Sequence, residues 1–124
     1  MHISTALVSL ILLLGSEATA KCITSGLHWS SKDKAVGRIE AACRGGVFKG
    51  TFKPKERKYL CVRGGENVKY EFSITNQNDQ ESFDLRDEHC MDGLSKEVWA
   101  CDQGGITSTA GWEFSSDPNI GYCN

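Results

Sequence analysis

The clearest pattern in the chain lies between Val68 and Thr75, where Val68, Tyr70, Phe72 and Ile74 alternate with Lys69, Glu71, Ser73 and Thr75. A period of two sends successive side chains to opposite faces, so this segment predicts a strand with one buried and one wetted side. Two segments before it also read as extended, Val47 to Lys53 and Lys58 to Arg63, separated by Pro54 and by Gly64-Gly65. A longer period governs Ala35, Val36, Ile39 and Cys43, with Ser30-Ser31 as N-cap and Gly45-Gly46 as stop, and predicts a first helix. After a polar loop from Asn76 to Ser82, the segment Asp84 to Cys101 predicts a second helix. In it Leu85, Cys90, Leu94, Val98 and Cys101 mostly follow three- and four-residue steps, which turns both cysteines inward; Gly93 interrupts it and Gly104-Gly105 ends it. Cys22 to Thr24 supplies a short first strand and Ala110 to Phe114 a last one. The order β-α-β-β-β-α-β predicts an α+β fold in which two helices lie against an antiparallel sheet.

The first twenty residues stand apart from this pattern. Met1 to Ala20 has a polar start, a leucine-rich run from Ala6 to Leu14 and the closing Ala18-Thr19-Ala20, the layout of a secretory leader with an A-x-A cleavage site. The apolar run falls short of the roughly 20 residues that a membrane-spanning helix needs. Residues 1–20 are therefore read as a signal peptide and 21–124 as one domain that is secreted and works outside the cell, with no transmembrane segment.

All six cysteines, Cys22, Cys43, Cys61, Cys90, Cys101 and Cys123, fall in that domain. An even number in a short exported chain reads as a disulfide framework, and a core of this size depends on such crosslinks. The composition by itself leaves the pairing open. No C-x-x-C pair occurs, and His89-Cys90 are direct neighbours rather than ligands at a useful spacing, so neither a metal nor a cofactor is expected.

Charge divides the chain unevenly. From Arg44 to Lys69 eight cationic side chains stand against Glu56 and Glu66, whereas from Glu71 to Asp117 eleven acidic ones stand against Arg86 and Lys96. The basic stretch contains Lys49, Lys53, Lys55, Arg57, Lys58 and Arg63, with Phe48, Phe52 and Tyr59 between them. On strands, alternation would gather several cations on one face and the aromatics on the other. Such a face suits an acidic surface, and Lys53, Lys55, Arg57 and Lys58 around Pro54 are the expected partner-binding residues. The plainer reading is an edge hairpin kept soluble by its lysines. Nucleic acid is not expected as a partner of an exported chain with net charge near zero.

Catalytic constellations are scarce. Tyr70-Glu71-Phe72-Ser73-Ile74 resembles the strand that carries the catalytic glutamate of small fungal guanine-specific ribonucleases, where that glutamate works beside a histidine and an arginine. After Glu71 the only such residues are Arg86 and His89, both on the expected helix, so Glu71 reads as the polar side of an alternating strand and no catalytic residue is assigned.

The helix ending in Ala42-Cys43, the basic stretch Pro54 to Cys61, the alternating strand, the helix with Cys90 and Cys101 and the closing strand before Cys123 together resemble the viral killer toxin of smut fungi. They equally resemble the killer-toxin-like small secreted proteins of plant-associated fungi. The tail Phe114 to Cys123 is similar to those of fungal secreted cysteine-rich proteins associated with host colonisation. The resemblance covers the whole domain as spacing rather than identity. It implies a two-layer α/β sandwich with split β-α-β units and the bonds Cys22 to Cys101, Cys43 to Cys123 and Cys61 to Cys90. In the toxin the basic stretch before the strand cysteine is implicated in activity. This chain keeps Glu56-Arg57-Lys58 but has Tyr59 where the toxin has lysine. The expectation is a non-enzymatic secreted effector or virulence-type protein of a fungus that binds a host or microbial protein or an acidic surface. A killer or antimicrobial toxin acting on competing cells is the alternative, and a ribonuclease-like hydrolase stands third.

Overall fold

The computed structural model describes residues 19–124, so the leader predicted over residues 1–20 lies, as far as residue 18, outside the described residues. The chain runs β1 (Thr19–Cys22), α1 (Lys32–Gly45), β2 (Thr51–Phe52), β3 (Arg57–Gly65), β4 (Val68–Asn76), β5 (Phe83–Asp84), α2 (Asp87–Ala100), β6 (Gly105–Thr109) and β7 (Trp112–Ile120). Five strands form one antiparallel sheet in the order β1-β6-β7-β4-β3, and β2 pairs with β5 in a small second sheet. Because β4 and β6 both pair antiparallel with β7 between them, β4-α2-β6 is a split β-α-β unit. The two-layer α+β architecture expected from the sequence is thus the one observed.

The alternation of β4 sets the layering. Tyr70, Phe72 and Ile74 are fully buried, and their partners in register, Pro118, Ser116 and Phe114 on β7 and Val62, Leu60 and Lys58 on β3, point the same way. Onto this face α1 lays Ala35, Ile39, Ala42 and Cys43, and α2 lays Cys90, Gly93, Leu94 and Val98. Ser31 caps α1 by accepting from the Lys34 amide at 3.2 Å, as the sequence predicts. α2 has no side-chain cap and starts on Asp87 and Glu88, whose charges suit the positive end of the helix dipole. Trp29 seals the core beneath β4, stacked on Phe72 and edge-on to Tyr70, while its indole N–H donates to the Cys101 carbonyl at 2.9 Å.

Several expectations are corrected. The stretch Val47 to Lys53 is mostly turn: Gly50 adopts φ 102°, Phe48 tucks into the core, and only Thr51–Phe52 is extended. The first strand sits at Thr19–Cys22 rather than Cys22 to Thr24, and cleavage after Ala20 would leave Lys21 and Cys22 of it. Gly93 does not interrupt α2; an added Cβ there would fall 2.5 Å from the Phe114 ring, so glycine is what lets helix and sheet touch. The last strand begins at Trp112, because Ala110 (φ 53°) and Gly111 (φ 84°) form the turn of a β6-β7 hairpin.

The disulfides agree with the resemblance in one pair and overturn it in two. Cys22 bonds Cys101 as implied, but Cys43 bonds Cys90 rather than Cys123, and Cys61 bonds Cys123 rather than Cys90. The reason lies in the layers: Cys43 and Cys90 both face the core between the two helices, whereas Cys61 lies on the opposite face of the sheet, in register with Glu71.

One core residue is out of keeping with its surroundings. Glu97 is 1% exposed, its Oε2 has no hydrogen-bond partner, and its Oε1 lies 3.3 Å from a disulfide sulfur of Cys101 that carries no proton. Burial pushes its carboxyl above the ordinary value of 4.5, with Lys96 opposing weakly. A raised carboxyl pKa stabilises the fold fully below the unfolded value and loses that stability as pH rises through the folded one. Wild-type stability should therefore fall on going from pH 4.5 toward neutrality, and Glu97→Gln should flatten that fall, recovering about 1–3 kcal/mol at neutral pH. Urea denaturation across pH tests this, and parallel curves for the two proteins would refute it.

Candidate partner-binding surface

The helices cover only one face of the sheet. The other face carries Arg57, Tyr59, Cys61 and Arg63 from β3, Lys69, Glu71 and Ser73 from β4, and Ser115, Asp117 and Asn119 from β7. These are the polar halves of the same alternations that build the core.

Glu71 is the hub of this face. Its Oε2 accepts from the Tyr59 hydroxyl on β3, its Oε1 accepts from the Asn119 amide on β7 at 2.7 Å, and the Lys69 ammonium stands 3.7 Å away. Partial burial alone would raise its carboxyl, but the bonds from Tyr59 and Asn119 and the charge of Lys69 together hold it below the ordinary value. Burial, and then the carboxylate it donates to, push the Tyr59 phenol up to about 12. Asp117, directly across from Glu71 in register, is shifted upward by burial and by the Glu71 charge, against a hydrogen bond with Asn119. A shallow depression of about 400 Å³ lies on one side of Glu71, floored by Lys69 and Asn119 and walled by Gly26, Leu27 and Ile120. A smaller one of about 110 Å³ lies on the other side, between Arg57, Tyr59 and Asp117.

This geometry makes Glu71 an anchor for its neighbours. A general base needs a free lone pair and a pKa near the working pH, whereas both Glu71 oxygens are engaged and its proton affinity is lowered. Among the described residues no histidine lines either depression beside Glu71, and His89 packs on Phe114 in the core layer.

The basic turn is held rigidly. The Asn76 side chain, 1% exposed, donates to the carbonyls of Phe52, Lys53 and Glu81, and the Lys55 amide donates to Asn78. The Glu56 carboxylate accepts from the Lys53 amide at 2.8 Å, and Lys55 takes φ 64° at the tip. Of the four cations expected to bind a partner, Lys53, Lys55 and Arg57 are exposed and Lys58 is not free. Strand alternation turns Lys58 to the helix side, where its ammonium sits 4.1 Å above the Phe52 ring and donates to the Lys49 carbonyl. The expected segregation of cations from aromatics is also corrected, since Arg57 and Tyr59 share the open face with the guanidinium 5.6 Å from the ring. Arg63 stands in the same relation to Tyr122, so β3 presents two cation-aromatic pairs on either side of the Cys61–Cys123 bond.

Tyr59 and Arg63 belong to the basic stretch read from the sequence but not to its four expected partner-binding residues, and Tyr122 is not expected there at all. Tyr59 and Arg63 were within reach, because both fall on the wet phase of β3; Tyr122 depends on the disulfide that folds the tail over the sheet. The sequence matches no protein-family model, and no curated protein matches it.

Proposed function

We propose that this chain is a secreted, non-enzymatic effector-type protein that binds an acidic partner in a host or in its surroundings through the basic turn and the open side of β3. The observation that carries the reading is the grouping of Lys53, Lys55, Arg57 and Arg63 along one rim, with no carboxylate within 4 Å of any of their charged nitrogens among the described residues. Exposed Tyr59 and Tyr122, at 43% and 52%, add contact area of the kind enriched at interfaces. A rigid scaffold beneath supports it: three disulfides pin the domain, a chemistry that belongs to oxidising compartments, and no helix among the described residues is long and apolar enough to cross a membrane. The killer-toxin reading shares the two-layer sandwich and one split β-α-β unit but loses the support of the implied disulfide pairing.

Purified protein applied in parallel to plant tissue and to fungal and bacterial cultures separates these roles. A host response without growth inhibition is expected; growth inhibition without a host response would favour the toxin. Incubation with single-stranded RNA should give no cleavage, by the wild type and by Glu71→Gln alike. Cleavage that disappears in Glu71→Gln would replace this reading with an enzymatic one.

A further inference from the structure

The outer edge of β3 pairs with no strand among the described residues, and the regular run from Arg57 to Arg63, before the bulge at Gly64, is long enough to accept another strand. An inward-pointing charged side chain, lysine above all, is one of the devices by which natural sheet edges are blocked. Here the lysine in that position, Lys58, is folded back onto Phe52, and the next two helix-side residues, Leu60 and Val62, are only partly covered. They form one wall of an open groove of about 210 Å³ whose other wall is Arg38 and Ala41 of α1, with Val47, 41% exposed, at its mouth.

We propose that this edge is a docking site for an extended segment of a partner protein in which acidic and apolar residues alternate. A strand added to β3 continues the sheet by backbone hydrogen bonds, and its side chains fall alternately on the two faces. On the helix side they meet Leu60, Val62 and Val47 and must be apolar; on the open side they meet Arg57, Tyr59 and Arg63 and are best acidic. Arg57 and Arg63 have no carboxylate within salt-bridge distance among the described residues, so charge complementarity is available to the incoming segment on the open face. The same charges disfavour a second copy of this chain. An antiparallel pairing of two β3 strands centred on Leu60 sets Arg57 of one against Arg63 of the other, and like charges directly opposite are destabilising. The site adds the strand edge and the helix-side groove to the open face proposed above, and because Val47 and the edge amides belong to it alone it can fail while that reading stands.

A fluorescein-labelled peptide of alternating glutamate and valine, titrated by anisotropy, is the probe, with a lysine-for-glutamate peptide as its control. The glutamate peptide should bind, the lysine peptide should not, and both Val47→Asp and Arg63→Glu should weaken binding by about tenfold or more. Hydrogen exchange should slow at alternate amides between Arg57 and Arg63 when the peptide is present, a signature that a purely electrostatic contact does not give. Val47 is exposed, so its variant is expected to fold, which an unchanged amide spectrum verifies. Absence of binding overturns the proposal. So does binding that Arg63→Glu weakens but Val47→Asp does not, without slowed exchange; that result leaves the charged open face standing. Sedimentation showing dimers of the protein alone, with those amides already protected, overturns it in favour of a second copy.

Discussion

Replacing Cys43 and Cys90 together by alanine is expected to lower the stability of the domain by about 4 kcal/mol. The bond closes a loop with a sequence separation of 47 residues, and the chain-entropy estimate for a loop of that length is about 4 kcal/mol. Both cysteines are about 1% exposed and join α1 to α2, the one contact between the helices that is covalent. A domain of this size typically has only 5–15 kcal/mol in total, so the variant should unfold at markedly lower guanidinium concentration. Peptide mapping under non-reducing conditions should at the same time leave Cys61 joined to Cys123 in the variant. A loss of less than about 1 kcal/mol, or a wild-type map joining Cys61 to Cys90, would show that the helices are not tied in this way.

The second large effect is expected at Gly93. Phe114 is fully buried on β7, and the ideal Cβ position at Gly93 lies 2.5 Å from two of its ring carbons, far inside contact distance. Gly93→Val adds that Cβ and two methyl groups, so α2 must lift from the sheet or Phe114 must leave its rotamer, at about 3 kcal/mol or more. Helix propensity would alone predict a modest gain from removing a mid-helix glycine, so the sign of the change separates packing from propensity. Thermal denaturation of Gly93→Val beside Gly37→Val makes the comparison. Gly37 lies in α1 with nothing within 4 Å of its added Cβ, and its variant should be neutral or slightly stabilised. Equal midpoints for the two variants would contradict the close approach of α2 to β7.

What the sequence made legible follows from where a local period exists. α1, β3 and β4 each carry their own hydrophobic repeat and were expected close to their observed bounds. β6 has the opposite of a readable pattern: its inward positions are Gly105 and Thr107 and its exposed one is Ile106, because the helix side there is filled by Glu97 and the Cys22–Cys101 bond. The second half of β7, Ser115 to Pro118, has no apolar alternation and is extended because it pairs with β4. Pro118 is tolerated in this inner strand because its ring faces Gly104, where pairing with β6 has ended. Among the site residues, exposure of Lys53, Lys55 and Arg57 was legible from their place at a proline turn. The capture of Lys58 by Phe52 and the binding of Glu71 by Tyr59 and Asn119 depend on contacts between elements that no single segment encodes. The disulfide exchange has the same origin, since it is decided by which face of the sheet each cysteine occupies.

The most direct test of the proposed binding surface is a salt titration of cell-surface binding by two charge variants. Lys53→Ala/Lys55→Ala/Arg57→Ala removes exposed cations that have no ion-pair partner among the described residues, and Lys58 is left in place because it packs on Phe52. Glu88→Ala/Asp92→Ala removes exposed charges from α2 as the control. Both should fold within about 0.5 kcal/mol of wild type per exposed site. Labelled wild-type protein should bind host protoplasts less as salt is raised, because exposed charges are screened over roughly 8 Å at physiological ionic strength. The cation variant should bind at least about tenfold more weakly at low salt and lose most of its salt dependence, Arg63 remaining, while the α2 variant matches wild type. Undiminished binding by the cation variant, together with lost binding by the α2 variant, would place the interface on the helix side and contradict the proposal.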